Sequence, residues 1–472
     1  MPKLKKIAFI ITRGPLYRYK TGAFGIFIRY CPLTIPFLAA LIPEGMNPEI
    51  EVYDEGVEII NKEKIQADLV AISSVTGGAQ RAYAYADYFR ARSIPVVMGG
   101  VHATLMTEEA ALHADAVAKG IAVETWPQLL RDFENGGLKK IYQQEGEVDF
   151  SGWPIPKRGH YGSKRKKFIT VNSVQASYGC PNKCFFCVTP CSVKGYHHRP
   201  VRDVVEEVSR IKRKHFIFLD PSPIEDPAYA KELYRALIPL KKKWLSPSTI
   251  KMAFDEELLE AAAASGCEGL LIGFESIVKA SIGDTCKSFN YPDKYLQAVK
   301  NFHKKGIAVM GCFVFGLDSD DKNIFKDTVD FVNEADIDVP RFTVCTPYPG
   351  TPLYKKLESE GRITERDWGM YDCQHVVFKP ARMTAAELQE GHHWAWREAY
   401  RPASTARRLF RSRAATHLAL LATFAYTRYA RALPAYNRGV MTDLSDITGK
   451  GSAALPGSHP AAEEPGTAAA RT

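Results

Sequence analysis

Short apolar runs alternate with amphipathic helical patterns along most of the chain, and this alternation constrains the fold more than any other feature. Alternating strand and helix patterns predict a parallel sheet covered by helices on both faces, with ligands bound at the carboxyl ends of the strands. A first series of such units fills residues 1 to about 140. Its candidate strands are Ile7–Ile11, Ile50–Asp54, Asp68–Ser74, Pro95–Gly100 and Ala116–Gly120.

A second series begins near residue 168, after a link rich in Pro and Lys. Six units in a row are typical of a partial (β/α)6 barrel, whose chemistry lies at the C-terminal ends of its strands. The candidate strands lie near 173–179, 215–220, 245–250, 268–275, 307–316 and 340–346. We therefore predict an α/β protein with an N-terminal doubly wound, Rossmann-like domain, a partial TIM barrel and C-terminal helices. The expected boundaries are 1–145 for the first domain, 146–167 for the linker, 168–383 for the barrel, 384–440 for the helical region and 441–472 for a disordered tail.

The composition, 46% hydrophobic and 24% charged, is typical of a globular protein, and a chain of 472 residues is long enough to bury a full hydrophobic core. The formal net charge of +9 arises from Lys and Arg residues spread along the chain, so we expect no nucleic-acid partner. The N-terminus has no secretory pattern and no long apolar run occurs, which indicates a cytoplasmic protein. In a reducing compartment, clustered cysteines indicate metal binding rather than disulfides.

Three of the ten cysteines, Cys180, Cys184 and Cys187, form a CxxxCxxC cluster on the loop after the first predicted barrel strand. Three thiolates bind three irons of a cubane cluster and leave the fourth iron open to a chelating ligand. The alternative is a zinc site with a fourth ligand from Cys191 or His197. Zinc sites usually assemble from paired CxxC or HxxxH elements, which this segment lacks.

Around these cysteines the chain resembles the radical S-adenosylmethionine (SAM) superfamily, and other barrel stretches match in order and spacing. The resemblance implies that the open iron of a 4Fe-4S cluster binds SAM, and that a reductant such as flavodoxin or ferredoxin drives release of a 5′-deoxyadenosyl radical. By this resemblance the candidate SAM contacts are Phe186 and Gly316 for the adenine, Asp220 and Ser222 for the amino group, and Glu275 and Ser276 for the ribose and carboxylate. Each motif taken alone is also typical of a strand end followed by a turn.

Over residues 1 to about 400 the resemblance narrows to cobalamin-binding radical SAM proteins, on stretches such as Val97–His102, Trp126–Asp132 and Thr346–Tyr354. It implies cobalamin at the first domain. Two predicted strands there end in small or polar residues where a ligand would lie, and the candidate contacts are Ser73, Thr76, Gly99, Gly100 and His102. For His102 the alternative is that it only ends a strand.

The chain departs from cobalamin-binding relatives in two places. The DxHxxG motif that supplies a lower cobalt ligand in many cobalamin enzymes is absent, since Asp54–Glu58 has no histidine at the comparable place. Where relatives read Gly-Glu-Ala-Glu, this chain has Gly120-Ile-Ala-Val-Glu124 and so lacks one acidic contact. We therefore expect cobalamin to bind without a protein imidazole on its lower face.

Two regions near the C-terminus bear on the substrate. Tyr348 and His375 are candidate catalytic residues beside the barrel mouth, and the alternative is a structural turn around a packed Trp368. The segment Arg407–Arg431 is basic at both ends and apolar between, which is typical of a helix at a membrane surface or of one packed on the barrel. Membrane contact would favour a lipid, hopanoid or tetrapyrrole substrate.

We therefore predict an enzyme that cleaves SAM reductively and, with cobalamin, methylates an unactivated carbon of a small-molecule or lipid-like substrate. The alternative is a radical cyclase, oxidase or carbon–carbon coupling enzyme without methyl transfer. A third hypothesis, from a different class, is a non-catalytic regulator that binds cobalamin or zinc.

Overall fold

A six-stranded parallel sheet forms the centre of the N-terminal half. The computed structural model describes residues 3–14, 31–144, 148, 150–167, 172–411, 414, 417–438 and 443–449. The strands of this sheet are β1 (Lys6–Ile11), β2 (Glu49–Asp54), β3 (Leu69–Ser73), β4 (Val96–Gly99), β5 (Ala116–Lys119) and β6 (Ile141–Gln143). Their order is β2-β1-β3-β4-β5-β6, and all pairs are parallel. The five predicted strands are confirmed, whereas β6 was not predicted because it has three residues, of which only Tyr142 is buried.

Alternate residues of these strands enter two different hydrophobic clusters, one on each face of the sheet. Ile10 and Ile72 pack into the cluster shared with the C-terminal half, whereas Phe9 and Ala71 pack into a separate smaller one. Both faces are therefore covered, as in a doubly wound fold. The helices of this domain are α1 (Thr34–Ala40), α2 (Ala79–Arg90), α3 (Val101–Leu105), α4 (Thr107–His113) and α5 (Ala122–Glu134).

A second parallel sheet of six strands forms an open barrel and confirms the predicted partial TIM-type architecture. Its strands are β7 (Ser173–Val174), β10 (His215–Phe218), β11 (Lys243–Ser248), β12 (Cys267–Glu275), β13 (Ala308–Phe315) and β14 (Val339–Val344). They lie side by side in chain order, from β7 at one edge to β14 at the other. The helices around them are α6 (Thr189–Ser192), α7 (Val201–Ser209), α8 (Pro227–Leu237), α9 (Glu256–Ala264), α10 (Lys279–Asp284), α11 (Tyr295–Lys304), α12 (Ile324–Glu334) and α13 (Pro352–Ser359).

The predicted first barrel strand, 173–179, is divided into two pieces. Only β7 joins the barrel, and the second piece, β8 (Ser177–Gly179), pairs antiparallel with β9 (Tyr196–His198). The chain leaves the barrel because the buried Asp220 carboxylate accepts the backbone N–H groups of Ala176 and Ser177 in place of a neighbouring strand.

Helices α14 (Ala385–Ala399), α15 (Pro402–Arg411) and α16 (His417–Tyr436) follow the barrel, and a short helix α17 (Ser445–Thr448) comes last. A capping box of Thr384 and Glu387 starts α14, and the Trp396 indole N–H on α14 donates to the Phe342 carbonyl of β14 at 3.0 Å. Helix α14 therefore covers the open edge of the barrel. No helix in the described parts of the chain is both long and apolar enough to cross a membrane.

The prediction of a disordered tail from residue 441 is wrong for residues 443–449. There the Arg81 guanidinium of α2 binds the Asp443 carbonyl and lies 2.7 Å from the Asp446 carboxylate. Arg81 is buried and also pairs with Glu55. Because its buried charge needs acceptors, it binds residues 443–446 and holds that segment against the first domain. Residues 451–472 lie outside the described residues.

Candidate active site

The β8–β9 hairpin holds the cysteine loop at the barrel mouth. Gly179, at the end of β8, has a φ of +74°, and a Cβ there would lie 2.1 Å from the Gly195 carbonyl oxygen, so only glycine fits. The loop closes with the Phe185 N–H donating to the Thr285 carbonyl at 3.0 Å. This bond ties the cysteine loop to the segment after α10.

The three predicted cluster ligands are free thiols, each partly accessible. The Asn182 amide donates to Cys180 Sγ and the Thr189 N–H donates to Cys187 Sγ, both at 3.4 Å. Burial raises the pKa of Cys180, and it raises the pKa of Cys184 to about 12. Cys180 and Cys184 therefore favour the protonated form until metal displaces the proton, and the two donors to sulfur, at Cys180 and Cys187, suit a bound thiolate.

The geometry of these thiols fits a polynuclear cluster better than a single ion. Within the described ranges, no three His, Cys, Asp or Glu side chains converge as one metal ion requires. In a cubane cluster each thiolate binds a different iron, so the three sulfurs need not converge on one point. The zinc alternative has two candidate fourth ligands, and both have partners inside the protein. His197 Nε2 lies 2.9 Å from the Lys194 carbonyl and its ring stacks on Phe150, and Cys191 Sγ donates to the Cys187 carbonyl at 3.7 Å.

Glu275 lies beside this loop at the end of β12, as the sequence pattern predicts. Its φ of +63° is unusual for a residue with a side chain, and a bulge between Gly273 and Glu275 accompanies it. Lys287 Nζ lies 2.6 Å from Glu275 Oε1 and donates to the Gly273 carbonyl at 2.8 Å. The charge of Lys287 opposes the rise of the Cys184 pKa, so the pair lies close enough to act on that thiol. Lys287 was not predicted, since it belongs to no motif.

Asp220 and Ser222 lie just after barrel strand β10, and Asp220 binds the segment that precedes the cysteine loop. The Asp220 carboxylate accepts the Ser177 hydroxyl at 2.7 Å as well as the two backbone N–H groups described above. Ser222 donates to Glu225 Oε1 at 2.6 Å, and Glu225 in turn pairs with Lys251 at 2.8 Å. Both predicted residues are thus bonded within the protein, which favours a positioning role, and a contact with SAM stays a prediction.

The other three predicted SAM contacts lie on strand ends or on the loop. Phe186 packs partly buried against the hydrophobic cluster, and the Ser276 hydroxyl accepts the Val278 N–H at 3.1 Å. Gly316 has a φ of +93°, and its missing Cβ would lie 2.6 Å from Leu388 Cδ2 of α14. Packing against α14 therefore requires the glycine, whereas its approach to adenine stays a prediction.

A cavity of about 900 Å³ joins the two halves of the molecule. On one side it meets the carboxyl ends of β3, β4 and β5, and on the other it enters the barrel and reaches α14 and α16. The predicted residues Ser73, Gly99 and Gly100 line it, whereas Thr76 and His102 do not. A Cβ on Gly120, at the end of β5, would meet nothing within 4 Å, so the strand ends leave open space for a large group.

His102 faces away from this cavity. Its Nε2 lies 2.9 Å from the Tyr83 hydroxyl, its ring packs edge-on against Trp368, and burial lowers its pKa to about 3. Thr76 is also buried, in a turn that packs against the segment 368–370. These contacts give His102 a structural role at the junction between the two halves, as in the alternative, although it lies in the first turn of α3 and does not end β4.

The two candidate catalytic residues have partners inside the protein. His375 Nδ1 lies 2.9 Å from the Asp372 carboxylate and Nε2 lies 3.3 Å from the Asn437 carbonyl. The Tyr348 hydroxyl lies 3.3 Å from Cys373 Sγ. This bonding favours the structural turn over a catalytic role for His375, and neither residue lines the cavity.

Comparison with known proteins agrees with this geometry. The family model of the radical SAM superfamily matches residues 174–332, and a domain of unknown function (DUF4070) matches residues 351–429. A bacteriochlorophyllide d C-12(1)-methyltransferase of Chlorobaculum tepidum is 32% identical over 351 residues, which cover 72% of this chain and 76% of the relative. The chain belongs to the cobalamin-binding radical SAM family.

A second family member of the same organism, a bacteriochlorophyllide d C-8(2)-methyltransferase, is also 32% identical and covers 67% of this chain and 74% of its own length. Among solved structures, the radical SAM methyltransferase TsrM of Kitasatospora setae, with cobalamin and a 4Fe-4S cluster bound, is similar in fold. It has a TM-score of 0.64, 17% identity, and coverage of 91% of this chain and 99% of that one. The predicted family and fold class are therefore confirmed.

Proposed function

We propose that this protein is a cobalamin-dependent radical SAM C-methyltransferase that acts on a large, mostly apolar small molecule. The observation that carries the proposal is the shared cavity, which faces the strand ends of the Rossmann-like domain on one side and the barrel interior on the other. The cluster cysteines do not line this cavity, but Tyr178 and Ser192, on either side of the cysteine loop, do. A methyl donor on the first domain would therefore border the cavity, and the radical source would lie next to it.

The residues present fit the three cofactors of such an enzyme. Cys180, Cys184 and Cys187 would hold a 4Fe-4S cluster, and Gly99 and Gly100 would lie against cobalamin. When bound, the cluster supplies the electron that cleaves SAM, and methylcobalamin supplies the methyl group. The described lining of the cavity contains no histidine, which supports cobalamin without a lower protein imidazole.

The protein's own residues position and shield this chemistry. The Asp220 carboxylate fixes the start of the cysteine loop, and the Glu275–Lys287 ion pair lies beside Cys184, where the Lys287 ammonium favours the thiolate. Trp396, Tyr426 and Tyr429 close the barrel side of the cavity with aromatic surface. Exclusion of water there would protect a carbon radical from side reactions.

The size and apolar walls of the cavity favour a ring system or a lipid over a polar metabolite. Since two relatives act on bacteriochlorophyllide d, a tetrapyrrole of that type is the first substrate to test.

Analysis of both SAM products with that substrate tests the proposal. A methylase needs one SAM to methylate cobalamin and a second to form the radical, so S-adenosylhomocysteine and 5′-deoxyadenosine should appear in about equal amounts. Label from methyl-deuterated SAM should enter the product. Formation of deoxyadenosine alone, with cobalamin and a converted substrate present, would favour the cyclase or coupling alternative.

The proposal includes a peripheral contact of a cytoplasmic enzyme with a membrane surface, and a flavodoxin- or ferredoxin-type reductant. Helix α16 exposes Leu420 and Phe424 on the face that also carries Arg428, and Phe410 of α15 is 91% exposed. An apolar face bordered by cations suits anionic lipid.

Changing Leu420 and Phe424 to Glu should abolish sedimentation with phosphatidylglycerol vesicles, whereas Leu112→Glu, at an exposed leucine of α4, should not. Equal sedimentation of both variants would refute the contact.

A further inference from the structure

A single cation, Arg341 of β14, lies in the wall of the cavity among the described lining residues. Its neighbour in register on β13 is Cys312. No hydrogen bond or ion pair engages its guanidinium within the described part of the chain, and its Nε is fully buried without a partner. Leaving a guanidinium without an acceptor in a mostly apolar wall is costly, because its donors have lost water and gained nothing.

The groups around Arg341 do not supply a counter-charge. The titratable side chains that act most strongly on it are Tyr426, Tyr429, Cys312 and Cys373. Tyr400 also interacts with it, and burial raises the pKa of Tyr400, so its hydroxyl stays neutral. Burial raises the pKa of Tyr426, of Cys312 to about 11, and of Cys373. These three groups are therefore neutral near pH 7, and none of the cluster cysteines is among the neighbours.

The single acid in the described lining is already paired. Glu268 lies 3.5 Å from His215 Nε2 and 3.7 Å from Lys243 Nζ. The cavity wall therefore carries one positive charge that the protein leaves uncompensated. A bound molecule with one negative charge would neutralise it.

We propose that Arg341 binds a carboxylate on an otherwise apolar substrate and so fixes which carbon faces the radical. A guanidinium binds a carboxylate through two parallel hydrogen bonds, which sets orientation as well as affinity. A phosphate monoester, with close to two negative charges at neutral pH, would call for a second cation, and the described lining has none. The inference rests on the proposed function, because it takes this cavity as the substrate site.

Binding of a matched pair of small aromatic probes to the full-length protein, with cluster and cobalamin in place, tests this inference. 2-Naphthoate and 2-naphthamide have nearly the same shape and differ in charge, and both are small against a cavity of about 900 Å³. Calorimetry should show naphthoate bound at least about tenfold more tightly, a ratio that corresponds to ~1.4 kcal/mol. Arg341→Gln should abolish the preference, and Arg341→Lys should retain part of it.

Arg382→Gln, at an exposed arginine outside the cavity, is the matched control and should keep the full preference. Equal binding of the two probes, no binding of naphthoate, or an unchanged preference in Arg341→Gln would overturn the inference. Loss of cobalamin from Arg341→Gln with the probe preference intact would also overturn it, since the charge would then serve the cofactor.

Thermal unfolding separates this role from a structural one. A residue that holds the fold together destabilises it when replaced, whereas removal of an uncompensated charge is neutral or stabilising. We expect Arg341→Met to keep or raise the Tm, and a clear fall in Tm would assign Arg341 to the fold. Neither measurement needs turnover, so a charge preference without methylation would refute only the proposed function.

Discussion

Cys191 provides an internal control for the cluster cysteines at the scale of single residues. It lies four positions after Cys187, yet its thiol is exposed and donates to the Cys187 carbonyl at 3.7 Å. We expect Ala substitution of Cys180, Cys184 or Cys187 to remove the broad visible absorption of an iron–sulfur protein, because each binds its own iron. Cys191→Ala should keep full iron and sulfide content after anaerobic reconstitution. Loss of the cluster from this variant as well would refute the three-ligand assignment.

His102 gives a prediction about pH, because burial lowers its pKa from 6.5 to about 3. A lowered histidine pKa means that the folded state favours the neutral ring. The contribution of His102 to the free energy of unfolding is therefore fully present above pH 6.5 and falls as the pH drops below that value. For one such group the loss at pH 5.5 is about 1.4 kcal/mol relative to pH 7.5.

Substitution isolates this contribution from the other titrating groups. Denaturant unfolding measures the free energy of unfolding of the wild type and of His102→Gln at both pH values. The difference between the two proteins should be smaller at pH 5.5 than at pH 7.5 by about that amount. A constant difference between the two proteins would show that His102 does not titrate on unfolding.

The cysteine spacing is sufficient to propose the cluster ligands, because three thiols within eight residues are close in any fold. Lys287 and Arg341 were not predictable in the same way. Each acquires its role from side chains distant in the chain, Glu275 and Cys184 for Lys287 and the residues of α16 for Arg341. His102 shows the converse, since its position at a strand end suggested a ligand contact and its ring turns toward Tyr83 instead.

Among the elements, the short helix α17 has a measurable role. Its Asp446, with the Asp443 carbonyl, provides acceptors for the buried Arg81 guanidinium of the first domain. Ending the chain after residue 442 should therefore lower stability by about 1–2 kcal/mol, because Arg81 would keep only Glu55. Ending it after residue 450 should leave the thermal midpoint unchanged. Equal midpoints of the two truncated proteins would contradict the anchoring role.

Strand patterns in the sequence located ten of the strands well because each has an apolar run bounded by turn residues. The division of the segment 173–179 was not predictable, since it depends on the Asp220 carboxylate from the end of the next barrel strand. The anchoring of α17 was missed for a related reason. The predicted tail as a whole is rich in Gly, Ala and Ser and has little preference for secondary structure. Its first part, residues 443–449, is ordered by Arg81, which lies some 360 residues away in the chain.

At the scale of the whole molecule, the cavity couples two domains whose sequence patterns are independent. Trp368, after the barrel, donates its indole N–H to Glu109 of α4 at 2.9 Å and packs on His102. These contacts hold the strand ends of the first domain over the barrel interior. The two halves therefore share one cavity, which the proposed function takes as the substrate site.

Because the proposed cobalamin contacts and the cysteine loop lie in different domains, we predict that one substitution in the first domain can separate methyl transfer from radical formation. Gly99 lines the cavity at the end of β4, and a Cβ there would meet only ordinary contacts, the nearest being the Ala118 carbonyl at 3.6 Å. Gly99→Leu should therefore fold, and its side chain should occupy space needed by cobalamin. We expect cobalamin retention to fall about tenfold or more, since overpacking a site typically costs 1–3 kcal/mol.

In Gly99→Leu the cluster lies in the other domain, so iron content and reductive cleavage of SAM to 5′-deoxyadenosine should persist while S-adenosylhomocysteine and methylated product disappear. Gly137→Leu, at an exposed turn of the same domain where a Cβ meets only one atom at 4.0 Å, is the matched control and should retain both products. Parallel loss of deoxyadenosine and S-adenosylhomocysteine in Gly99→Leu, with the cluster intact, would mean that radical formation depends on the occupied first domain. The two activities would then be one coupled reaction rather than two functions joined by a shared cavity.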